Sequence, residues 1–132
     1  MLEVTFYRDD RDRCSGLSAR GHADFAGLGK DIVCAAVSAI LQAARLGLRE
    51  YARAEVAARQ EPGRLELRWN EDERDRESVR AIVATAQLAV EQIARRFPKH
   101  VRVKRTRIRA GVGGKVPERV TAPADRRRIY DV

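Results

Sequence analysis

The first twenty residues carry two short runs in which apolar and polar side chains alternate. The apolar positions of these runs are Leu2, Val4, Phe6, Leu17 and Ala19. A spacing of two puts such side chains on one face of an extended strand, and that face is then buried. Since the charged residues 8–12 separate the runs and suit a turn, the pattern predicts an antiparallel hairpin at the start of the chain.

Two longer segments, 33–51 and 79–97, carry apolar residues at the three- and four-residue spacing of amphipathic helices. The apolar positions are Val33, Val37, Ile40, Leu41, Ala44, Leu48 and Tyr51 in the first, and Val79, Ile82, Val83, Ala86, Val90, Ile93 and Phe97 in the second. Gly47 weakens the first helix without ending it, and Pro98 ends the second. The chain therefore contains two helices with one packed face each.

A second hairpin is predicted between the helices, with its turn at 61–63 and apolar positions at Val56, Ala58, Leu65, Leu67 and Trp69. A last strand begins at Val101 and changes phase, which predicts a bulge or a strand end near Lys104 and Arg105. The order β-β-α-β-β-α-β predicts an α+β fold with two helices on one face of a mostly antiparallel sheet. The other face is less covered and is a candidate for self-association or partner docking.

Composition and charge separate a domain from a tail. The chain has 132 residues and a formal net charge of +8, and residues 95–110 hold eight basic and no acidic side chains. A chain of this length fits one domain, which we place at 1–110. Residues 111–132 are rich in glycine, proline and arginine without apolar periodicity, and predict a flexible basic tail. We expect a cytoplasmic protein without a membrane span, whose two cysteines stay reduced.

Candidate chemistry is concentrated between a strand end and a helix start. His22 follows the predicted second strand, and Cys34 falls at the third helical position if Asp31 is the N-cap. Within the first turn, the helix dipole favours the thiolate of Cys34. His22 would accept the thiol proton, and the free first-turn amides would hold an oxyanion. This segment therefore predicts a nucleophilic cysteine with its base.

Other interpretations of these residues remain open. A cysteine on a helix is more often a packing residue than a nucleophile. His22 and Cys34 lack the paired close spacing of a structural zinc site. A redox role would need Cys14 to approach Cys34 within disulfide distance, and no Cys-x-x-Cys motif is present. His100 fits a solvated residue at the start of a strand.

The runs Gly21-His22-Ala23 and Gly29–Ser38 resemble the signature of the ribosomal-processing cysteine protease family, Prp, and the likeness extends over roughly residues 1–110. The resemblance implies a hydrolase with a catalytic dyad, in which His22 is the general base and acid and Cys34 is the nucleophile. It implies further a homodimer without cofactor or metal. The remaining positions it implies are Gly21, Asp31 and Ser38 as supporting residues, and Gly27 and Gly29 in a mobile loop.

The resemblance also implies a substrate, since this family removes a short N-terminal extension from the large-subunit ribosomal protein called L-twenty-seven. The alternative function is a non-catalytic module that binds the ribosome or ribosomal RNA through the basic segment 95–109. The side chains expected to meet phosphates are Arg102, Lys104, Arg107 and Arg109. Such binding would weaken steeply with salt. Only Phe97 is an aromatic residue near this segment, which gives base stacking little support.

Overall fold

The computed structural model describes residues 1–21 and 28–108, with the side chains of 28–31 excepted. The predicted tail at 111–132 lies outside the described residues. The elements in chain order are β1 (Leu2–Arg8), β2 (Cys14–Arg20), α1 (Leu28–Leu46), a π-helical turn (Gly47–Tyr51), β3 (Val56–Glu61), β4 (Arg64–Trp69), α2 (Glu71–Arg74), α3 (Glu77–Arg96) and β5 (Val101–Arg107). The predicted α+β class is confirmed.

The five strands form one mixed sheet in the order β3-β4-β2-β1-β5. Both predicted hairpins are present, because β1 pairs antiparallel with β2 and β3 pairs antiparallel with β4. The strands β2 and β4 join the two hairpins, also antiparallel. In contrast, β5 runs parallel to β1, since α3 carries the chain back across the sheet before the last strand. The prediction of a mostly antiparallel sheet holds for three of these four pairings.

The core lies between one face of the sheet and the two long helices. Its largest fully buried side chains include Phe6, Leu17, Leu41, Leu48, Leu65, Leu67 and Trp69. Alternate residues of the strands supply one side and the predicted stripes of α1 and α3 supply the other. Burying each such aliphatic side chain stabilises the fold by about 1.5–3 kcal/mol before entropy is counted. This core explains why the spacing patterns in the sequence are strong.

The first long helix differs from its prediction at its C-terminal end. A π-helical turn begins at Gly47, and Tyr51 is 81% exposed although the spacing predicted a packed position. A π turn places more residues in each turn, so the stripe is lost by position 51, although Leu48 at the start of the turn is still fully buried. The run Ile32–Tyr51 is long and apolar enough by composition to cross a membrane, contrary to expectation. Here Val37 and Leu41 of this run are fully buried against the sheet, which accounts for its composition.

The last strand contradicts the predicted bulge. β5 is continuous from Val101 to Arg107 and keeps a single register with β1, and the irregularity lies instead between Tyr7 and Arg8 where β1 pairs with β2. After Val103 the side chains of this edge strand are exposed on both faces. Hydropathy therefore carries no information on register there, which explains the false change of phase.

Candidate functional site

The chain leaves β2 toward α1 at a junction of four segments. The Gly21 amide donates to the carbonyl of Gly63 at 3.0 Å, and the Leu2 amide donates to the carbonyl of His100 at 2.9 Å. These bonds bring together the end of β2, the start of β1, the β3–β4 turn and the start of β5. Because β2 ends here, the segment that leads through residue 22 to Cys34 in α1 starts at this end of the sheet.

No residue with a side chain fits at the Gly21 position of this junction without strain. Its φ is +95°, a conformation that favours glycine, and an added Cβ would lie 2.4 Å from the carbonyl oxygen of Met1. The obstacle is backbone at the start of β1, which has no rotamer to change. Gly21 therefore fixes the direction in which the chain continues to residue 22. The supporting role expected for Gly21 stays a prediction, and His22 and Gly27 lie outside the described residues.

Cys34 lies one turn deeper in α1 than predicted. The helix begins at Leu28, so Asp31 lies in its first turn and is not the N-cap. Gly29 is likewise helical and does not belong to a loop, contrary to the prediction. An acidic residue is favourable inside a first turn as well as at the cap, so the sequence did not distinguish the two positions. Cys34 is the seventh helical residue, half-buried and free.

This shift changes which amides can hold an oxyanion. The first four amides of an α-helix have no acceptor within the helix, and here they belong to residues 28–31. The amide of Cys34 is instead directed to the carbonyl four residues earlier. One turn of helix is about 5.4 Å along the axis, so free amides lie roughly that far before the cysteine. The free first-turn amides, which we predicted in the turn of Cys34, therefore lie in the turn before it.

The surroundings of Cys34 are partly apolar. Its side chain packs against the edge of the core beside the stripe that contains Val33 and Val37. Ser38 follows four residues later on the same face of α1 and is only 5% exposed. The helix thus presents a thiol at the boundary of the core, with a buried hydroxyl one turn along. A thiol at such a boundary remains accessible to a reactant from solvent.

The second cysteine has a different environment. Burial raises the pKa of the Cys14 thiol above its ordinary value, against a smaller lowering by its bond to the Gly16 carbonyl. Its sulfur donates to that carbonyl at 3.5 Å. Cys14 starts β2, whereas Gly21 follows the end of that strand, about 20 Å away at the usual rise of a strand. Both cysteines are free thiols in the structure.

The predicted basic segment divides between two faces of β5. Arg102 and Lys104 alternate onto the face of the sheet without helices, while Arg105 and Arg107 alternate onto the other. Three of these cations approach carboxylates, with Lys104 at 3.1 Å from Glu3, Arg105 at 2.7 Å from Glu91 and Arg107 at 3.6 Å from Asp12. Arg109 lies outside the described residues. Tyr7 was not predicted as a candidate functional residue. It lies on β1, opposite Thr106 of β5.

A metal site and His100 are the two remaining candidates. Among the described residues, no group of three histidine, cysteine or acidic side chains could hold a metal ion. The sequence predicted a solvated His100, but this residue is half-buried. Its Nδ1 has no hydrogen-bond partner in the part of the chain described. Its ring centroid lies 6.5 Å from that of Phe97.

Comparison with known proteins agrees with this fold. The ribosomal processing protease Prp from S. aureus, with a covalently linked product peptide, superposes with a TM-score of 0.71 at 20% identity, covering 80% of this chain and 99% of that chain. The same protease with a substrate peptide gives 0.72, again at 20% identity and with the same coverage. The protein SMU.848 from Streptococcus mutans gives 0.72 at 25% identity, covering 82% of this chain and 96% of that chain.

A family model gives the class. The model described as cysteine protease Prp matches residues 1–102, which include both His22 and Cys34. A search of the curated proteins finds no significant match. The matched region defines the chain as a cysteine protease by class. More particularly, the chain belongs to the Prp family.

Proposed function

We propose that this chain is an endopeptidase in which Cys34 is the nucleophile and His22 is the general base and acid. The match of the family model over residues 1–102 carries this proposal. Two features of the structure support it. Cys34 is free and half-buried at the edge of the core, and Gly21 holds the chain in a fixed direction immediately before His22.

The reaction proceeds in two halves. His22 takes the proton of Cys34, and the sulfur attacks the carbonyl carbon of the scissile peptide bond. The free amides of residues 28–31 are the candidates for stabilising the negative oxygen of the tetrahedral intermediate. His22 then gives its proton to the leaving amine as the C–N bond breaks, which leaves a thioester on Cys34. Water, deprotonated by His22, hydrolyses the thioester and restores the thiol.

For the substrate, we propose the N-terminal extension of a large-subunit ribosomal protein of the L-twenty-seven family. The support is the likeness to a ribosomal processing protease that has been solved with substrate and product peptides. A homodimer and a cytoplasmic location are proposed on the family resemblance alone. Sedimentation of the purified chain and fractionation of the cell test these two points.

The experiment uses matched controls that the composition provides, because the chain has only two cysteines and two histidines. The ribosomal protein is incubated with the wild type and with single alanine variants, and its mass is measured over time. We expect Cys34→Ala and His22→Ala to abolish cleavage, and Cys14→Ala and His100→Ala to retain it. Thermal unfolding of each variant shows that the fold is intact.

Two results would count against the proposal. Cleavage by the Cys34→Ala and His22→Ala variants at the wild-type rate would exclude the dyad. Absence of cleavage of the ribosomal protein by a folded wild type would exclude the substrate. A non-catalytic ribosome-binding module then becomes the better account, and the specific observation in its favour is the exposed basic strand β5.

A further inference from the structure

The face of the sheet turned away from the helices is polar and strongly basic. Its residues are the strand positions that alternate with the core residues. They are Glu3, Thr5 and Tyr7 on β1, Gly16, Ser18 and Arg20 on β2, Ala57, Arg59 and Glu61 on β3, Arg64, Glu66 and Arg68 on β4, and Arg102, Lys104 and Thr106 on β5. We call this surface the open face. No described helix covers it.

The charges of the open face do not balance. Six cations face three carboxylates, which leaves a net charge of +3 on one side of a small sheet. The carboxylates are engaged within the face, with Glu3 at 3.1 Å from Lys104, Glu61 at 2.9 Å from Arg59 and Glu66 at 3.0 Å from Arg64. The net positive charge of the open face favours an anionic partner.

The centre of the open face is uncharged and contains an aromatic ring. Tyr7 pairs across β1 and β2 with Gly16, which has no side chain, and its hydroxyl is 3.0 Å from the Ser18 hydroxyl. The ring thus leans diagonally across β2 and is held there by this bond. Thr5 and Ser18 are 8% and 5% exposed, because longer side chains surround them. The result is a shallow polar centre with one aromatic ring and a basic rim.

We propose that the open face binds single-stranded RNA, with one base stacked on Tyr7 and the phosphates neutralised by the surrounding cations. An aromatic residue on a central strand of an open sheet, with basic residues around it, is the arrangement that sheet surfaces use to hold unpaired bases. Duplex RNA fits less well, because its bases are not free to stack on the protein.

A second copy of this chain is the other occupant to consider, and charge argues against it. Stacking two open faces would bring two surfaces of charge +3 together, and like charges in close contact are unfavourable. The open face is also on the opposite side of the sheet from Cys34, which lies in the helical layer. Binding of RNA is therefore independent of the proposed cleavage, and the two can fail separately.

Fluorescence anisotropy with a labelled, mixed-sequence RNA of about 12 nucleotides tests the proposal. If about three phosphates are neutralised, the dissociation constant rises about 20-fold between about 50 and about 200 mM salt. We expect Tyr7→Leu to weaken binding about tenfold and Tyr7→Phe to retain it, because the ring supplies the stacking. Replacing Arg102 and Lys104 with glutamine reduces the logarithmic salt slope by about 1.4. Arg80→Gln, an exposed change on the helical side, leaves binding unchanged.

The outcomes separate the possibilities. Equal affinity of Tyr7→Leu and the wild type, or an equal loss in Arg80→Gln, would overturn the proposal. So would equal binding of a duplex or of DNA with the same sequence. A wild-type dimer that tightens when Arg102 and Lys104 are replaced, as relief of like-charge repulsion predicts, would show that a second copy covers the face. The Cys34→Ala variant is expected to bind RNA as the wild type does, whether or not the chain is a protease.

Discussion

Replacing Gly21 with alanine tests the junction before His22 directly. The added Cβ would lie 2.4 Å from the Met1 carbonyl oxygen, about 1 Å short of the 3.4 Å at which ordinary contacts begin, and 3.3 Å from the carbonyl carbon. At φ +95° alanine is also strained, by about 1–3 kcal/mol. The start of β1 must then move, or the bond from the Gly21 amide to the Gly63 carbonyl must lengthen.

The expected loss in the free energy of unfolding is about 2–4 kcal/mol, from backbone strain together with displacement of Met1. For a domain of this size the melting temperature then falls by roughly 8–16 °C. Cleavage falls further than stability explains, because His22 is the next residue and moves with the junction. Thermal unfolding and single-turnover cleavage at a temperature where the variant is folded measure the two effects separately.

Gly47→Ala is the matched control for this substitution. Its added Cβ would approach the Ile82 Cδ1 atom at 3.3 Å, the end of a flexible side chain that can give way. Alanine also improves helix propensity by up to about 1 kcal/mol, so we expect a change within about 1 kcal/mol in either direction. If Gly21→Ala unfolded at the wild-type temperature and cleaved at the wild-type rate, our account of the junction would be refuted.

Three further predictions concern the rest of the fold. Burial acts to raise the pKa of Asp9, but bonds from Arg13 and Arg74 among others outweigh it and lower that pKa. The charged Asp9 therefore stabilises the fold above the ordinary carboxyl pKa, and this stabilisation is lost as the pH falls. In Asp9→Asn, the free energy of unfolding in urea should depend less on pH in the acid range. Cys14 is half-buried and burial raises the pKa of its thiol, so iodoacetamide should label it slowly in the native state and faster in urea, as peptide mapping would show; equally fast labelling in both states would contradict this account. Trp69→Phe removes the hydrogen bond that the indole donates to the Cys14 carbonyl at 2.8 Å, and it should lower the free energy of unfolding by about 1.5–3 kcal/mol. Unfolding followed by circular dichroism measures this loss, and an unchanged unfolding midpoint would show that the bond contributes nothing.

The strands and the two long helices were predictable because burial on one side imposes a period on the sequence. Leu65, Leu67 and Trp69 are fully buried and alternate with half-buried neighbours, so β4 follows from the pattern alone. The same reasoning failed where burial does not act. The outer half of β5 is exposed on both faces, and its apparent change of phase has no structural counterpart.

Elements that depend on distant contacts were not predictable. α2 has only four residues, all polar, and none of the spacing that marks a packed helix. Arg13, from the turn before β2, contacts Glu71, the first residue of this helix, and Asp75, its C-cap, at 2.7 Å each. A helix this short is marginal in isolation, so tertiary contacts of this kind are needed to hold it. No local pattern in the sequence could reveal them.

The sequence named residues for the candidate site, and their roles stay predictions, but it did not give the local geometry. The motif identified Gly21 and Cys34, but the start of α1 was placed too late. Leu28, Gly29 and Lys30 add little to an apolar stripe, and a pattern search begins a helix at its first buried residue, here Val33. The position of Cys34 relative to the free amides depends on that start. An error of one turn in a boundary is thus small for the fold and large for the chemistry.

Different kinds of interaction hold the segments at each end of the sheet. The residues that stabilise one end are therefore not those on which the proposed chemistry at the other end depends. At one end, Asp9 joins Arg13 and Arg74 at 3.0 Å each, and Trp69 fixes the start of β2 through the Cys14 carbonyl. At the other end, backbone hydrogen bonds hold the junction around Gly21, which has no side chain. Charged networks tolerate conservative exchange, whereas a glycine surrounded by backbone tolerates none. Variation can therefore accumulate at the first end while the second keeps the geometry that cleavage would require.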